Sequence, residues 1–254
     1  MLSKILKKIA GICGFKLIDK DLIKNNRLIA ESNLYSLQDI LHNVFKNKII
    51  NQLIQIGSND GKRFDIINEY IKIYSPNCVL VEPIKTYFDQ LKQNYSHQKN
   101  IKFENLAISV NNEVNFLFKV NESKTKYYDD HIKGITSFDK KHLKKHGVKS
   151  SHIEIEKVKN ISINNLIEKY GSKVDLLIID AEGYDGNIVI DLLENSNIQP
   201  IIIFEYIHVK FNIFNHLIKL LKDKKYSYFK IDENLICLPN KMKIKSNLDI
   251  HYPI

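Results

Sequence analysis

From Gln52 onward the chain alternates short apolar runs with longer amphipathic segments, the pattern of a parallel sheet covered by helices. The runs at 51–56 (NQLIQI), 78–82 (CVLVE), 101–105, 113–119, 174–179 (VDLLII), 200–205 (PIIIFE), 226–231 and 234–238 predict strands. Helical spacing predicts helices over 62–74, 84–95, 162–169, 185–195 and 211–224. Ser162, with Asn164 and Asn165, is placed to cap the third of these, and Gly171 to end it. Only Asp232 and Glu233 separate YSYFKI from NLICLP, so the last two strands read as a hairpin and give the sheet an antiparallel edge.

Two stretches depart from this rhythm. Residues 120–152 are polar, and between 119 and 149 they carry nine lysines and three histidines, His131, His142 and His146. A segment that long between strands is usually functional or disordered. At the other end, Leu2, Ile5, Leu6 and Ile9 fall on one side of a helical turn with Lys4, Lys7 and Lys8 on the other. Residues 1–15 therefore read as a helix packed on the domain or on a second subunit, or as one resting on anionic lipid. The expected organisation is an N-terminal helical extension over 1–45 and one main domain over 46–254 with a basic insertion at about 120–152.

Composition narrows the partners. The chain has 254 residues, fits one α/β domain with additions, and is 44% hydrophobic, enough for a sizeable core. No apolar run approaches a membrane span and no cleavable leader pattern is present, so a cytoplasmic protein, peripheral at most to the inner membrane, is expected. The net charge of +9 would admit nucleic acid, but of the 38 basic residues only Arg27 and Arg63 are arginines. Base readout and bidentate phosphate clamping favour Arg, so no nucleic-acid partner is expected. The Lys, Ile and Asn bias reads first as an AT-rich bacterial genome. Cys13, Cys78 and Cys237 lack paired metal spacing and fit buried thiols in a reducing compartment.

Three constellations carry candidate chemistry. In Ile56-Gly57-Ser58-Asn59-Asp60-Gly61 a buried strand runs into a tight glycine turn, with a helix expected behind it whose N-terminus would favour an anionic group. Gly57 suits a backbone angle closed to other residues, and Gly61 the close approach of a ligand. Glu82 ends the next strand, 21 residues past Gly61, where an acid accepts hydrogen bonds from ribose hydroxyls. The turn lacks the three-glycine pyrophosphate pattern, which favours a nucleoside cofactor without pyrophosphate. Asp180-Ala181-Glu182-Gly183-Tyr184-Asp185 follows the strand VDLLII, with Asp185 expected as a helix cap and Asp180 and Glu182 in the site. After PIIIF, Glu205 and His208 stand close enough to make a general base.

These residues resemble the FkbM-type class I methyltransferases. The family's G-A-N-x-G turn is similar to Gly57-Ser58-Asn59-Asp60-Gly61, and its E-P pair to Glu82-Pro83, with Phe88 and Leu91 following. Its N-x-A-x-S element is similar to Asn105-Leu106-Ala107-Ile108-Ser109, and its K-I-D-x-E-G motif to Ile178-Ile179-Asp180-Ala181-Glu182-Gly183. The resemblance covers roughly residues 50–238. Gln55 stands where the family usually has an acid, and Ile178 replaces a common Lys.

The resemblance implies a Rossmann-like α/β sheet, mostly parallel with an antiparallel C-terminal hairpin and helices on both faces. It also implies S-adenosyl-L-methionine as cofactor and O-methylation of a sugar or natural product. Carried over residue by residue, Gly57, Ser58, Asn59 and Gly61 would hold the methionine part. Glu82 with Pro83 would bind ribose, Ala107 would flank adenine, and Asp180 with Glu182 would lie at the sulfonium end. Asp180, His208 or Glu205 would take the acceptor's proton. Asp180, Glu182 and Glu205 are also hard oxygen ligands suited to Mg²⁺, although a metal-free reaction is the expectation. The expected acceptor is a hydroxyl of a nucleotide-linked or phosphorylated sugar in capsule or lipooligosaccharide synthesis, recognised by the insertion; a homodimer is left open. Two other readings compete. A nicotinamide-dependent oxidoreductase needs a fuller glycine fingerprint and a Tyr-x-x-x-Lys pair, which Tyr70 and Tyr226 do not supply. A non-catalytic binding protein on the same fold would have no need of Glu82, Asp180 and Glu182 together.

Overall fold

A computed structural model describes residues 19–31, 35–63, 65–110, 116–171 and 173–241. The helix expected within 1–15, and Cys13, lie outside the described residues. In chain order the strands are β1 (Gln52–Ile56), β2 (Asn77–Val81), β3 (Ile101–Glu104), β4 (Ala107–Ile108), β5 (Phe116–Val120), β6 (Thr136–Ser137), β7 (Ile153–Lys157), β8 (Asn160–Ile161), β9 (Leu176–Ile179), β10 (Ile201–Glu205), β11 (Tyr226–Ile231) and β12 (Asn234–Pro239). Seven of them form the central sheet in the order β11-β12-β10-β9-β1-β2-β3. The pairs β3–β2, β2–β1, β1–β9 and β9–β10 are parallel; β12 runs antiparallel to both β10 and β11.

Each central strand is apolar on both sides because helices cover both faces. Ile54 and Ile56 face one core with the helices Ile163–Tyr170, Asp185–Asn195 and Phe211–Asp223, while Leu53 faces the other with Leu37–Lys46, Asn68–Tyr74 and Lys85–Asn94. Cys78 and Cys237 lie buried within these cores as thiols, and burial pushes the Cys78 thiol up to about 12. No helix among the described residues is long and apolar enough to cross a membrane.

The N-terminal helices are built into this core. The helix Leu37–Lys46 buries Leu37, Ile40, Leu41, Val44 and Phe45, and Ser36 and Asp39 close it with a reciprocal capping box. The helix Lys20–Asn26 is pinned where Asn25 Nδ2 donates to Val209 O and Tyr206 Oη to Asn26 Oδ1.

Two expectations fail. The helix expected over 62–74 begins only at Asn68. Before it, the Asp60 carboxylate accepts from the amides of Lys62 and Arg63, and Asp65 from that of Ile67. Side chains that take these amides offer the backbone an alternative to the helix. The strand expected near 113–119 is β5, but it leaves the central sheet and pairs antiparallel with β6 and β7. That second sheet roots the insertion, which is folded. Around the helices Asp130–Lys133 and Lys140–Lys145 it buries its own core of Val120, Ile135, Leu143 and Val148.

Candidate functional site

The carboxyl ends of β1, β2, β9 and β10 converge under the insertion, where open α/β sheets place their ligands. Between sheet and insertion lies a cavity of about 850 Å³. Its floor includes Gly57, Ser58, Asn59, Glu82, Asp180, Glu182, Glu205 and His208; its roof includes Thr125, His131, Lys133, Gly134 and His146. The roof is tied down at several points. Ser137 Oγ donates to Glu182 O, Tyr87 Oη donates to Lys133 O, and Gly134 abuts the Asn59 amide so closely that a Cβ there would stand 2.9 Å from Asn59 Nδ2.

The turn after β1 is held from both sides. Gly57 has φ +78°, and a Cβ on it would fall 1.9 Å from the carbonyl oxygen of Asp180, so only glycine lets β1 and β9 close at this point. The Asn59 amide donates to Glu82 Oε2 and the Ile84 amide to Oε1, each at 2.9 Å. Burial pushes the Glu82 carboxyl up to about 7 against these two donors. Asn105 Nδ2 clamps the following loop through the carbonyls of Glu82 and Pro83. Behind them a narrow apolar cleft of about 50 Å³ is lined by Pro83, Leu106, Ala107, Leu117 and Phe138.

Several side chains are placed differently from expectation. Gly61 lies away from the cavity: a Cβ there would meet Leu91 and Tyr95, so its role is helix packing, not ligand approach. The helix expected directly behind the turn starts only at Asn68, seven residues past Gly61. The Ser58 hydroxyl is buried and donates to Gln55 O. Asp60 is tied to Arg63 Nε at 2.6 Å; burial pushes its carboxyl up, but hydrogen bonds from the Arg63 amide and side chain prevail and hold it below the usual range.

After β9, Asp185 does not cap its own helix. Its carboxylate, fully buried, accepts from the amides of Ala181 and Gly183 and so shapes the loop that presents Asp180 and Glu182. Glu182 sits at φ +50° and meets His142 Nε2 at 2.8 Å. Asp180 opens onto the cavity yet is ringed by protein. Burial, then Glu182, Asp185 and Glu82, push its carboxyl well above the usual range. Burial likewise carries Asp185 to about 7 and Glu205 to about 9, the latter helped by Asp180 and Asp185. The cavity floor is thus rich in carboxyl groups that are short of positive charge.

His208 Nε2 lies 3.8 Å from Glu205 Oε2, so the two expected partners are neighbours without a hydrogen bond. Burial, followed by the repulsion of His142 and His146, lowers the His208 imidazole to about 4 and leaves it unprotonated at neutral pH. Asp180, Glu182 and Glu205, the expected oxygen ligands, do not gather their ligand atoms. Among the described residues the three side chains that do are His142, His146 and His208. His142 and His146 were legible only as parts of a basic insertion, although their four-residue spacing was a signal. Asp65 was not singled out; it lines the cavity, accepts from Gln55 Nε2, and is pushed up by burial.

A parallel sheet with one reversed strand near its edge, a glycine turn after β1 and acids after β2 and β9 define the class I methyltransferase architecture. Residues 55–228 match the family model of the methyltransferase FkbM domain, and the chain belongs to that family. No curated protein sequence matches it. Among solved structures it is similar to the methyltransferase FkbM of Methylobacillus flagellatus KT, with 10% identity and a TM-score of 0.43, over 74% of this chain and 44% of that one. It therefore spans less than half of that relative. It is also similar to an O-methyltransferase from Bacillus cereus in complex with SAH, with 9% identity and a TM-score of 0.42, over 94% of this chain and 100% of that one.

Proposed function

We propose that this methyltransferase uses S-adenosyl-L-methionine to methylate a hydroxyl group, with a sugar as the acceptor. The observation that carries the reading is that Glu82, Asp180, Glu182 and Glu205 line one cavity at the carboxyl edge of the sheet, where burial raises Glu82, Asp180 and Glu205 and neighbouring acids raise Asp180 and Glu205 further. A ligand with positive charge at sulfur and at its amino group supplies what these acids lack. The fit extends to single atoms. Gln55 Oε1 is buried in the cavity wall without a hydrogen-bond partner, beside Asp65, and the two offer acceptors to an ammonium group. Glu82 has a carboxylate for vicinal hydroxyls, and the cleft at Pro83, Ala107 and Phe138 gives a flat base an apolar slot.

When bound, the cofactor supplies an activated methyl group and a good leaving group. What remains for the chain is to orient the acceptor hydroxyl and take its proton. Asp180, Glu205 and His208 line the cavity where that proton leaves, and the positive charge of the bound cofactor would favour the ionised form of the two carboxyls. The roof adds Thr125, His131 and Lys133, a lining suited to a polyhydroxylated acceptor such as a nucleotide-linked or phosphorylated sugar of a surface glycan. Calorimetric titration with S-adenosylmethionine, NAD and NADP tests the cofactor. Binding of a nicotinamide cofactor alone would overturn the reading. Nucleotide sugars screened by mass for one added methyl group then test the acceptor.

A further inference from the structure

We propose that His142, His146 and His208 bind one divalent transition-metal ion of the imidazole-preferring class, with Zn²⁺ as the first candidate, and that the ion fastens the insertion to the catalytic edge of the sheet. The three rings crowd one point, with centroids 4.6 Å (His142–His146), 4.7 Å (His142–His208) and 5.1 Å (His146–His208) apart. One ring nitrogen from each lies within 4.8 Å of the other two. Zn–N bonds of about 2.0–2.1 Å in a tetrahedral site put ligand nitrogens about 3.3–3.4 Å apart, so capture asks each ring to move by about an ångström. Side-chain rotation supplies that.

The placement of the rings fits ligation better than packing. His142 lies on the helix Lys140–Lys145 and His146 caps its end, so their spacing puts both rings on one face, while His208 comes from the loop after β10. The His142 Nε2 hydrogen bond to Glu182 Oε2, 2.8 Å, leaves Nδ1 as the ring atom free to ligate. A carboxylate that orients a histidine through its second nitrogen is the usual outer layer of a metal site. Three nitrogen donors with no thiolate select Zn²⁺, Co²⁺ or Ni²⁺ over Mg²⁺ or Ca²⁺, which want oxygen. His146 and His208 also line the cavity, so an ion held here borders the acceptor space. With His208 engaged as a ligand, Asp180 and Glu205 are left as proton acceptors.

The test uses full-length, tag-free protein, stripped with chelator and titrated with Co²⁺ without S-adenosylmethionine, so its failure and that of the methyl-transfer reading stay distinguishable. One Co²⁺ per chain should bind, with visible absorption bands of a low-coordinate nitrogen site, and Zn²⁺ should displace it. His146→Ala and His208→Ala should each weaken binding at least tenfold, and Glu182→Gln by about 10- to 100-fold. His216→Ala, whose ring pairs with Glu194 elsewhere on the surface, should bind as the parent does. Circular dichroism of the metal-free variants establishes that each is folded; His146→Gln replaces any that is not. The proposal is overturned if the parent takes up no Co²⁺ or Zn²⁺ at micromolar concentration, or if removing His146 and His208 leaves uptake unchanged.

Discussion

Replacing Gly57 by Ala puts the closure of β1 against β9 to the test. A side chain at φ +78° costs about 1–2 kcal/mol in left-handed strain. The added Cβ would also stand 1.9 Å from Asp180 O and 2.9 Å from Asp180 C, both backbone atoms that no rotamer change can move aside. Overpacking of that kind adds about 1–3 kcal/mol, so Gly57→Ala should lose about 2–5 kcal/mol in all, a large part of a typical domain's stability. Gly171→Ala is a control without a clash, at a harsher backbone geometry of φ +87° and ψ +132°. A Cβ there meets nothing within 4 Å, so it carries the strain alone. Urea unfolding followed by circular dichroism gives both values, and any excess of Gly57→Ala over Gly171→Ala is a lower bound on the contact. Because relief must come from moving Asp180, cofactor affinity should fall at least tenfold in the first variant and stay unchanged in the second. A loss below about 2 kcal/mol for Gly57→Ala, with cofactor affinity unchanged, would refute the reasoning.

Three further outcomes are expected. Glu82→Gln keeps one acceptor for the amides of Asn59 and Ile84, so it should fold while losing about 1.5–3 kcal/mol of cofactor binding by calorimetry; Glu82→Ala orphans both amides and should also lose stability, about 1–3 kcal/mol per donor. Glu82 and Asp185, raised to about 7, and Glu205, raised to about 9, hold protons more tightly folded than unfolded, so the stability they give is full below about pH 4 and drains away as pH rises through 7 to 9. A cation in the site opposes that loss, so the melting shift produced by S-adenosylmethionine should be larger at pH 9 than at pH 6. Leu143→Ala, at a fully buried position of the insertion core, should cost about 2–5 kcal/mol locally and speed hydrogen exchange over 130–148 without touching the central sheet.

The central sheet was legible because its strands are buried on both faces and read as unbroken apolar runs such as PIIIF and VDLLII. The hairpin was legible because only two residues join its strands. The helix Leu37–Lys46 had an equally clear signal in Leu37, Ile40, Leu41, Val44 and Phe45, but it lay in a segment set aside as an extension. The insertion was harder. Its apolar residues are few, and Val120, Ile135, Leu143 and Val148 are far apart in sequence, so no short window shows the periodicity of their core. In the site, Gly57, Glu82, Asp180, Glu182, Glu205 and His208 all reach the cavity, since strand ends put them there by topology. Gly61 and Asp185 were misassigned because a glycine or an acid beside a site has the same letter whether it meets ligand or backbone. The approach of His142 and His146 to His208 is a tertiary contact across the insertion, which local patterns do not encode.

The reversed position of β12 bears on how the chain is made. Synthesis delivers β10 well before residues 234–239, and until those arrive the outer edge of Ile201–Glu205 lacks its hydrogen-bonding neighbour. That edge is long, apolar and free of charge up to Glu205, the kind that pairs with other chains when left open. Pairing with Asn234–Pro239 covers that edge, so the hairpin that completes the sheet also removes its exposed apolar strand.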